Sequence, residues 1–295
     1  MHPIFLDLGF LKIHWYGIMA ALAAMTAFYV LVLNRKYAKM SKDQAADIIF
    51  YCVLVGGVIG ARIFYVVLNW PSFAADPWPA VIRIDQGGLV YYGGFFLAVL
   101  LIILYCRRHK LSIIAVFDVM APALAIGHGI SRIGCFLQGC CYGRPTDLWL
   151  GVEYPVSANI YPGCAVHPVQ LYECFGNIIL GLFFIYLLRR GVKRGITVSC
   201  YFIGYGLLRF LDEFLRGDHP ASEYVFNLSP AQVIGVGIIP VGVILLCFFI
   251  RGKNPLGFLE PAVAAEPPEP AERADKRRNR LSGQINAGSG QNNAD

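Results

Sequence analysis

The stretch PAQVIGVGIIPVGVILLCFFI, residues 230–250, contains no charged side chain. About 20 apolar residues in a helix cover the ~30 Å hydrocarbon thickness of a bilayer, so this stretch predicts a membrane-spanning helix. Comparable stretches precede it at about 15–33, 47–69, 88–106, 113–137, 169–188 and 197–215. The sequence therefore predicts an all-α, polytopic membrane protein with about seven transmembrane helices.

The composition supports this class of protein. Of the 295 residues, 57% are hydrophobic and only 15% are charged, whereas soluble domains carry about 25% charged residues. The net charge of +6 does not indicate nucleic-acid binding, because the basic residues lie between apolar stretches and in the C-terminal segment. Neither a soluble fold nor a nucleic-acid partner is expected.

The distribution of lysine and arginine predicts the orientation in the membrane. Thirteen of these residues follow the first, third, fifth and seventh stretches, and four occupy the alternate side. Since cytoplasmic loops carry the excess of positive charge, we expect the N-terminus outside and the C-terminus in the cytoplasm. The thirteen are Arg35, Lys36, Lys39, Lys42, Arg107, Arg108, Lys110, Arg189, Arg190, Lys193, Arg194, Arg251 and Lys253, and the four are Lys12, Arg83, Arg144 and Arg216.

Two regions differ in character along the chain. Residues 1–253 contain all the apolar stretches and form the predicted transmembrane catalytic domain. Residues 254–295 are rich in Pro, Gly, Asn and charged residues, as in EPPEPAERADKRRNR, and have little apolar surface to bury. We interpret them as a disordered cytoplasmic tail.

Three arginines lie within the apolar stretches, at Arg62, Arg132 and Arg209. A central intramembrane arginine costs about 2.5–3.5 kcal/mol even on insertion scales, so it usually faces a functional cavity, although a structural ion pair or snorkelling near a helix end is the alternative. Tyr205, Arg209 and Glu213 are spaced by four and share one helix face. Glu213 either neutralises Arg209 or orients it while leaving its donors available to a phosphate.

The segment GHGISRIGCFLQGCCYGR, residues 127–144, ends the fourth stretch and contains five glycines by position 143. Glycines in this number indicate either close helix packing or a broken helix that lines a cavity. In a broken helix, free backbone N–H groups near Arg132 would favour an anion. His128 shares a face with Arg132 and is either a general base or a neutral histidine bonded within the bundle.

Three cysteines in the same segment allow several interpretations. Cys135, Cys140 and Cys141 match no common zinc-ligand spacing. A metal site, a disulfide with Cys164 on the outer side, and simple packing as free thiols all stay open, with packing favoured. We predict neither a metal nor a cofactor.

The polar residues within and beside the stretches converge on one side of the predicted bundle. By the orientation above they lie in the outer half or middle of the membrane, where they would line an outward-facing polar cavity suited to an anionic lipid headgroup. An aromatic belt at the interface is the alternative for the tyrosines. The set comprises His14, Tyr16, Tyr92, Arg132, Gln138, His167, Glu173, Arg209 and Glu213.

These motifs resemble, in order and spacing, the prolipoprotein diacylglyceryl transferase family. The resemblance covers about residues 10–250 and rests on HWYG, GARIFYV, QGGLVYYGG, SRIGCFLQGCCYGR, HPVQLYE and GYGLLRFLDEFLR. It implies transfer of diacylglyceryl from phosphatidylglycerol to the lipobox cysteine thiol of prolipoproteins, in the cytoplasmic (inner) membrane of a bacterium. Its implied partners are phosphatidylglycerol, lipobox segments and the bilayer.

The resemblance also implies roles for residues. Arg132 matches the family's phospholipid-binding arginine, Arg209 with Tyr205 and Glu213 matches a second essential cluster, and Tyr16 and Gly143 match as well. The expected catalytic set is Arg132, Arg209, His128, Tyr92 and Glu213. The expected phosphatidylglycerol-binding set is Arg132, Arg209, Tyr16, Tyr205, Gly134, Gln138, Gly143, His167 and Glu173.

The chain departs from the family pattern at three positions. Tyr92 stands where many members have a histidine, and Cys135 and Cys140 stand where many have asparagine and glutamate. We hypothesise that His128 replaces the missing histidine as the base, or that Tyr92 orients the lipid while another group takes the proton. The alternative functions are those of a divergent relative that handles or transports lipid, or that modifies another thiol.

Overall fold

The computed structural model describes residues 4–8, 12–73, 88, 90–155, 161, 163–218 and 228–253. Seven long helices lie in these ranges: α1 (Trp15–Asn34), α2 (Lys42–Leu68), α3 (Tyr91–Arg108), α4 (Ile113–Gln138), α5 (Val169–Arg189), α6 (Ile196–Asp212) and α7 (Pro230–Ile250). Two antiparallel strand pairs join β1 (Ile4–Asp7) to β2 (Lys12–His14) and β3 (Val152–Glu153) to β4 (Ala165–Val166). The protein is therefore mostly helical rather than strictly all-α.

Six helices in the described part of the chain are long and apolar enough to cross a membrane, so the chain is a polytopic membrane protein. The exception is α6, whose 17 residues span about 26 Å and end at Asp212. A 3-10 turn, Glu213–Leu215, follows it. The predicted stretches agree with the helices to within a few residues; α2 begins earlier, at Lys42, where Ser41 caps it with a capping box.

The bundle is built around α4, which packs against α1, α5 and α6. Glycines occupy the points where α4 contacts its neighbours. A Cβ at Gly129 would lie 2.9 Å from the Cys174 carbonyl oxygen, and a Cβ at Gly134 would lie 3.0 Å from Met19 Cβ. The helix is continuous to Gln138 and ends at Gly139, which is left-handed with φ 76°. The glycine-rich segment thus serves close packing, and the broken helix is excluded.

Arg62 has a structural role on α2. It is 5% exposed, donates from Nη1 to the Gly88 carbonyl oxygen at 2.9 Å, and lies over the Tyr65 ring. These contacts hold the chain that enters α3 against α2, because Val90 N–H also bonds the Ala61 carbonyl oxygen at 3.0 Å. The described contacts of Arg62 are thus structural ones.

Backbone hydrogen bonds tie together the chain segments that leave α4, enter α5 and leave α6. Gly143 N–H bonds the His167 carbonyl oxygen at 3.0 Å, and Arg144 N–H bonds the Leu215 carbonyl oxygen at 2.8 Å. Gly143 also forms an isolated antiparallel bridge with Arg216. These bonds place the ends of three helices side by side, which positions the polar site described next.

The predicted tail at 254–295 lies outside the described residues, so its disorder and its boundary stay predictions.

Candidate functional site

The two intramembrane arginines meet at one carboxylate. Arg132 Nε on α4 contacts Glu173 Oε2 on α5, and Arg209 Nη1 on α6 lies 3.3 Å from Glu173 Oε1. Asn177 Nδ2 donates to the Glu173 backbone oxygen at 2.8 Å. The Glu173 side chain is 3% exposed, and the two arginine side chains are 13% and 14% exposed. Three helices thus place two guanidinium groups around one buried anion.

A second carboxylate extends the ion-pair network. Glu213 Oε2 lies 2.5 Å from Arg209 Nη1, one helical turn away, and 3.9 Å from Arg216 Nε. Arg216 in turn forms a bidentate pair with Asp218 at 2.9 and 2.6 Å. Burial opposes the charged form of Arg216, but the hydrogen bonds to Asp218 outweigh it and raise its pKa. Glu213 therefore forms an ion pair with Arg209, which fits both of the roles that its spacing predicts.

The arginine pair keeps donors that the protein does not use. Among the described residues, Arg132 Nη2 and Arg209 Nε and Nη2 donate no hydrogen bond. The guanidinium fork suits a phosphate oxygen pair, and both side chains are partly exposed. Arg132 lies near the C-terminal, negative end of α4. An anion bound here would therefore depend on the arginine side chains. The sequence instead predicts free backbone N–H groups of a broken helix as its donors.

His128 contacts the arginine pair directly. Arg132 Nε donates to His128 Nε2 at 3.2 Å, and the imidazole meets the Tyr205 ring edge-on at 5.5 Å. The ring nitrogen that would take a proton thus accepts a hydrogen bond from a cation. This geometry is that of the neutral histidine bonded within the bundle, and a base role for His128 stays a prediction.

Tyr16 and Gly134 adjoin the arginine site from α1 and α4. An added Cβ at Gly134 would lie 3.3 Å from Tyr16 Cα, so the missing side chain lets α1 approach. The Tyr16 phenol is 48% exposed and interacts electrostatically with Arg132. Both residues therefore adjoin the arginine site, and their contact with phosphatidylglycerol stays a prediction.

Gly143 and His167 lie in the hydrogen-bonded segments beside the site. A Cβ at Gly143 would fall 2.5 Å from the His167 backbone oxygen, so no larger residue fits without a shift. The His167 ring Nδ1 lies 3.4 Å from Tyr172 Oη. In the described structure these two residues contact each other and the start of α5.

Two predicted site residues do not join the arginine pair. Gln138 is exposed at the last position of α4. Tyr92 is 47% exposed and packs on the Tyr91 ring, and in the described structure it forms no hydrogen bond or ion pair with Arg132 or Arg209. Any contact of these side chains with a lipid stays a prediction.

Several buried polar residues lie near the site, and of these the sequence reasoning missed Tyr154 and Asp212. Gln170 is fully buried and donates to the Cys140 backbone oxygen at 2.7 Å and to Tyr154 Oη at 3.0 Å. Burial raises the pKa of Tyr154 to about 12 despite the bond from Gln170. Asp212, 6% exposed, interacts electrostatically with Glu173 and Arg209. The signal for Asp212 in the sequence was its spacing of four from Arg216, which predicts that the two side chains share a helix face.

The three cysteines form a thiol cluster, defined as Cys135, Cys140 and Cys141. Their Sγ atoms all lie within 4.8 Å of one another, and Arg132 Nη1 donates to Cys135 Sγ at 3.9 Å. All nine cysteines are free thiols, and Cys164 is exposed, so the possible disulfide to Cys164 is not formed.

An apolar cavity of about 820 Å³ lies between the α2–α3 pair and helices α4, α6 and α7. An aromatic path joins it to the arginine site, because Tyr201 on its wall stacks on Tyr205 at 5.5 Å and Tyr205 contacts His128. The wall consists almost entirely of aliphatic and aromatic residues, among them Val58, Tyr91, Phe95, Phe117, Leu124, Tyr201, Phe202 and Phe249. This size is typical of a small-molecule pocket.

Fold and site together define a polytopic membrane protein in which a buried, arginine-bearing polar site adjoins an apolar cavity. The sequence model of the family "Prolipoprotein diacylglyceryl transferase" matches residues 3–248. The chain belongs to this family, which confirms the resemblance of the motifs and the transferase class.

Named relatives agree with the family assignment. The chain is 32% identical over 246 residues to a phosphatidylglycerol–prolipoprotein diacylglyceryl transferase of Clostridium tetani, covering 82% of this chain and 96% of the relative. It is 34% identical over 236 residues to an enzyme of the same name from Finegoldia magna, covering 80% and 90%. The match therefore spans nearly the whole of both relatives.

Proposed function

We propose that this protein transfers the diacylglyceryl group of phosphatidylglycerol to the lipobox cysteine thiol of prolipoproteins, the first step of lipoprotein maturation. The names of the relatives support the two substrates. The observation that carries the proposal for the site is the meeting of Arg132 and Arg209 at Glu173. The names of the relatives favour transfer over lipid transport or modification of a different thiol.

The chemistry is substitution at the glyceryl carbon that carries the phosphate ester. The lipobox sulfur attacks as a thiolate and forms the C–S bond, the C–O bond breaks, and glycerol phosphate leaves with the electron pair. The leaving phosphate gains negative charge in the transition state, and fixed donors in a dry site stabilise it. Arg132 and Arg209 supply such donors, while Glu173 and Glu213 hold their positions.

The apolar cavity would hold acyl chain of the donor lipid. Its lining is almost entirely aliphatic and aromatic, which suits an acyl chain, and the stack of Tyr201 on Tyr205 leads from the cavity toward Arg132. A phosphatidylglycerol with its tails there would present its phosphate to the guanidinium groups. Tyr16 and Tyr92, both about half exposed, would complete the headgroup site.

The thiol proton requires an acceptor. We propose His128 for this role, with its imidazole released from Arg132 when phosphate takes the guanidinium donors. The alternative is that Tyr92 orients the lipid while another group accepts the proton.

We propose that the chain crosses the bacterial cytoplasmic membrane seven times, with the N-terminus outside and the C-terminus in the cytoplasm. The short helix α6 would be the seventh crossing, extended by the turn Glu213–Leu215. This orientation opens the polar site toward the outer face, where secreted precursors present their lipobox.

The test is transfer in vitro from labelled phosphatidylglycerol to a lipobox peptide. Removing one preorganised donor of this kind costs about 10²–10³ in rate, so Arg132→Ala should lose that much while Arg190→Ala, which removes an exposed arginine from the opposite end of α5, keeps full activity. Label that crosses the bilayer without reaching the peptide would instead support transport, and full activity of Arg132→Ala would refute the assigned site.

A further inference from the structure

The thiol cluster is produced by a chain reversal at the end of α4. Gly139 and Cys141 both have positive φ, at 76° and 61°, and the Cys140 N–H bonds the Cys135 carbonyl oxygen at 3.1 Å. This turn brings Cys140 and Cys141 back toward the last helical turn, where Cys135 lies. A non-glycine residue with positive φ is uncommon and costs free energy, so the turn is held by its surroundings.

Those surroundings include a buried side chain of a second helix. Gln170, fully buried on α5, donates to the Cys140 backbone oxygen at 2.7 Å. The turn that carries two of the three sulfur atoms is thus tied to both α4 and α5.

The spacing of the sulfur atoms suits one soft metal ion. Thiolate ligands about 2.3 Å from a metal lie about 3.8–4.0 Å from one another in tetrahedral or trigonal geometry. The Sγ atoms here lie within 4.8 Å of one another, so shifts below about 1 Å would bring them onto one ion. Thiolates select Cu⁺ and Zn²⁺ over hard ions such as Mg²⁺ and Ca²⁺, and three ligands in one plane suit Cu⁺ whereas structural Zn²⁺ takes four.

We propose that Cys135, Cys140 and Cys141 form a binding site for a single thiophilic cation, Cu⁺. Binding forms three metal–sulfur bonds and releases the thiol protons to solvent, with no change in oxidation state. A complex of one Cu⁺ with three thiolates has a net negative charge. The Arg132 guanidinium, whose Nη1 lies 3.9 Å from Cys135 Sγ, offsets part of that charge. The inference goes beyond lipid transfer, and its test does not use the transfer reaction.

The site would couple metal binding to the arginine pair. Arg132 contacts both Cys135 and Glu173, so an anionic copper–thiolate group would hold its Nη1 donor and compete with phosphate. A secondary expectation is that Cu⁺ slows lipid transfer when the lipobox peptide is present at a saturating concentration.

The test uses the full-length protein, reduced and purified in detergent, titrated with Cu⁺ in competition with a coloured Cu⁺ chelator. We expect one tightly held ion per chain. Cys140→Ser should weaken its binding by at least about a hundredfold, beyond the 10–100-fold cost of losing only an outer-shell partner. The matched control Cys164→Ser, an exposed thiol outside the cluster, should bind as the parent does.

Folding of each variant is checked by its elution as a monodisperse species and by its melting curve. Should Cys140→Ser fail that check, Cys141→Ser decides, because Cys141 also lies at the partly exposed end of the cluster. Unchanged affinity in a folded variant, no tight binding by the reduced parent, or a disulfide within the cluster that persists after reduction would each overturn the proposal.

Discussion

Substituting Glu173→Gln tests the centre of the site with almost no change in shape. The carboxylate is buried, contacts Arg132 Nε and lies 3.3 Å from Arg209 Nη1. Glutamine keeps one carbonyl oxygen as an acceptor but removes the charge that holds the two guanidinium groups together. Arg209 retains Glu213, whereas the partners that Arg132 keeps among the described residues, His128 and Cys135, carry no carboxylate.

The size of the effect follows from the geometry. Two unit charges 3.3 Å apart attract by about 5 kcal/mol at an effective dielectric constant of about 20. The cost of desolvating the buried charges offsets part of this attraction. A hydrogen bond to the amide oxygen of the glutamine recovers about 1 kcal/mol. We expect a loss of about 2–3 kcal/mol in the free energy of unfolding, less than the 3–5 kcal/mol of a fully buried broken pair, because both arginines are partly exposed.

The measurements are the melting temperature in detergent and the rate of lipid transfer. At about 2–4 °C per kcal/mol for a domain of this size, the melting temperature should fall by about 5–10 °C. Misplaced guanidinium groups should slow transfer by about a hundredfold. Glu153→Gln makes the same chemical change at an exposed strand position and should alter neither quantity. Parent-like stability and rate in Glu173→Gln would refute the bridging role.

Three further substitutions probe other parts of the structure. Gly143→Ala should lower both stability and transfer, because the new Cβ would meet the His167 backbone oxygen at 2.5 Å; a parent-like melting curve and rate would contradict the assigned close contact. Asp118→Asn should cost about 1–3 kcal/mol of stability, since Asp118 accepts the N–H groups of Gly195 and Val198 with its two oxygens; transfer per folded molecule should be unchanged, and a specific loss of rate would indicate a role in the site. His128→Gln should slow transfer by about 10²–10⁴-fold, the usual contribution of a general base, and an unchanged pH–rate profile would remove His128 as the base.

Much of the fold could be predicted from local pattern. The apolar stretches give helix positions to within a few residues because hydrocarbon excludes unpaired backbone groups and thereby requires continuous helices. Spacing by four puts Arg209 and Glu213 on one face, and the structure pairs them at 2.5 Å. The free-energy cost of placing a charge in the membrane marked Arg132 and Arg209 as functional candidates. The structure shows these same two side chains in contact with Glu173.

Tertiary structure decided what no spacing encodes. Glu173 lies on a different helix from either arginine, and it bridges them only because α4, α5 and α6 pack at particular rotations about their axes. The same packing leaves Gln138 exposed, and a left-handed turn gathers three cysteines that a linear motif of metal ligands would not reveal. Periodicity along one helix determines which side chains share its face, whereas contacts between helices depend on how side chains of distant residues interlock, and that is a property of the packed bundle.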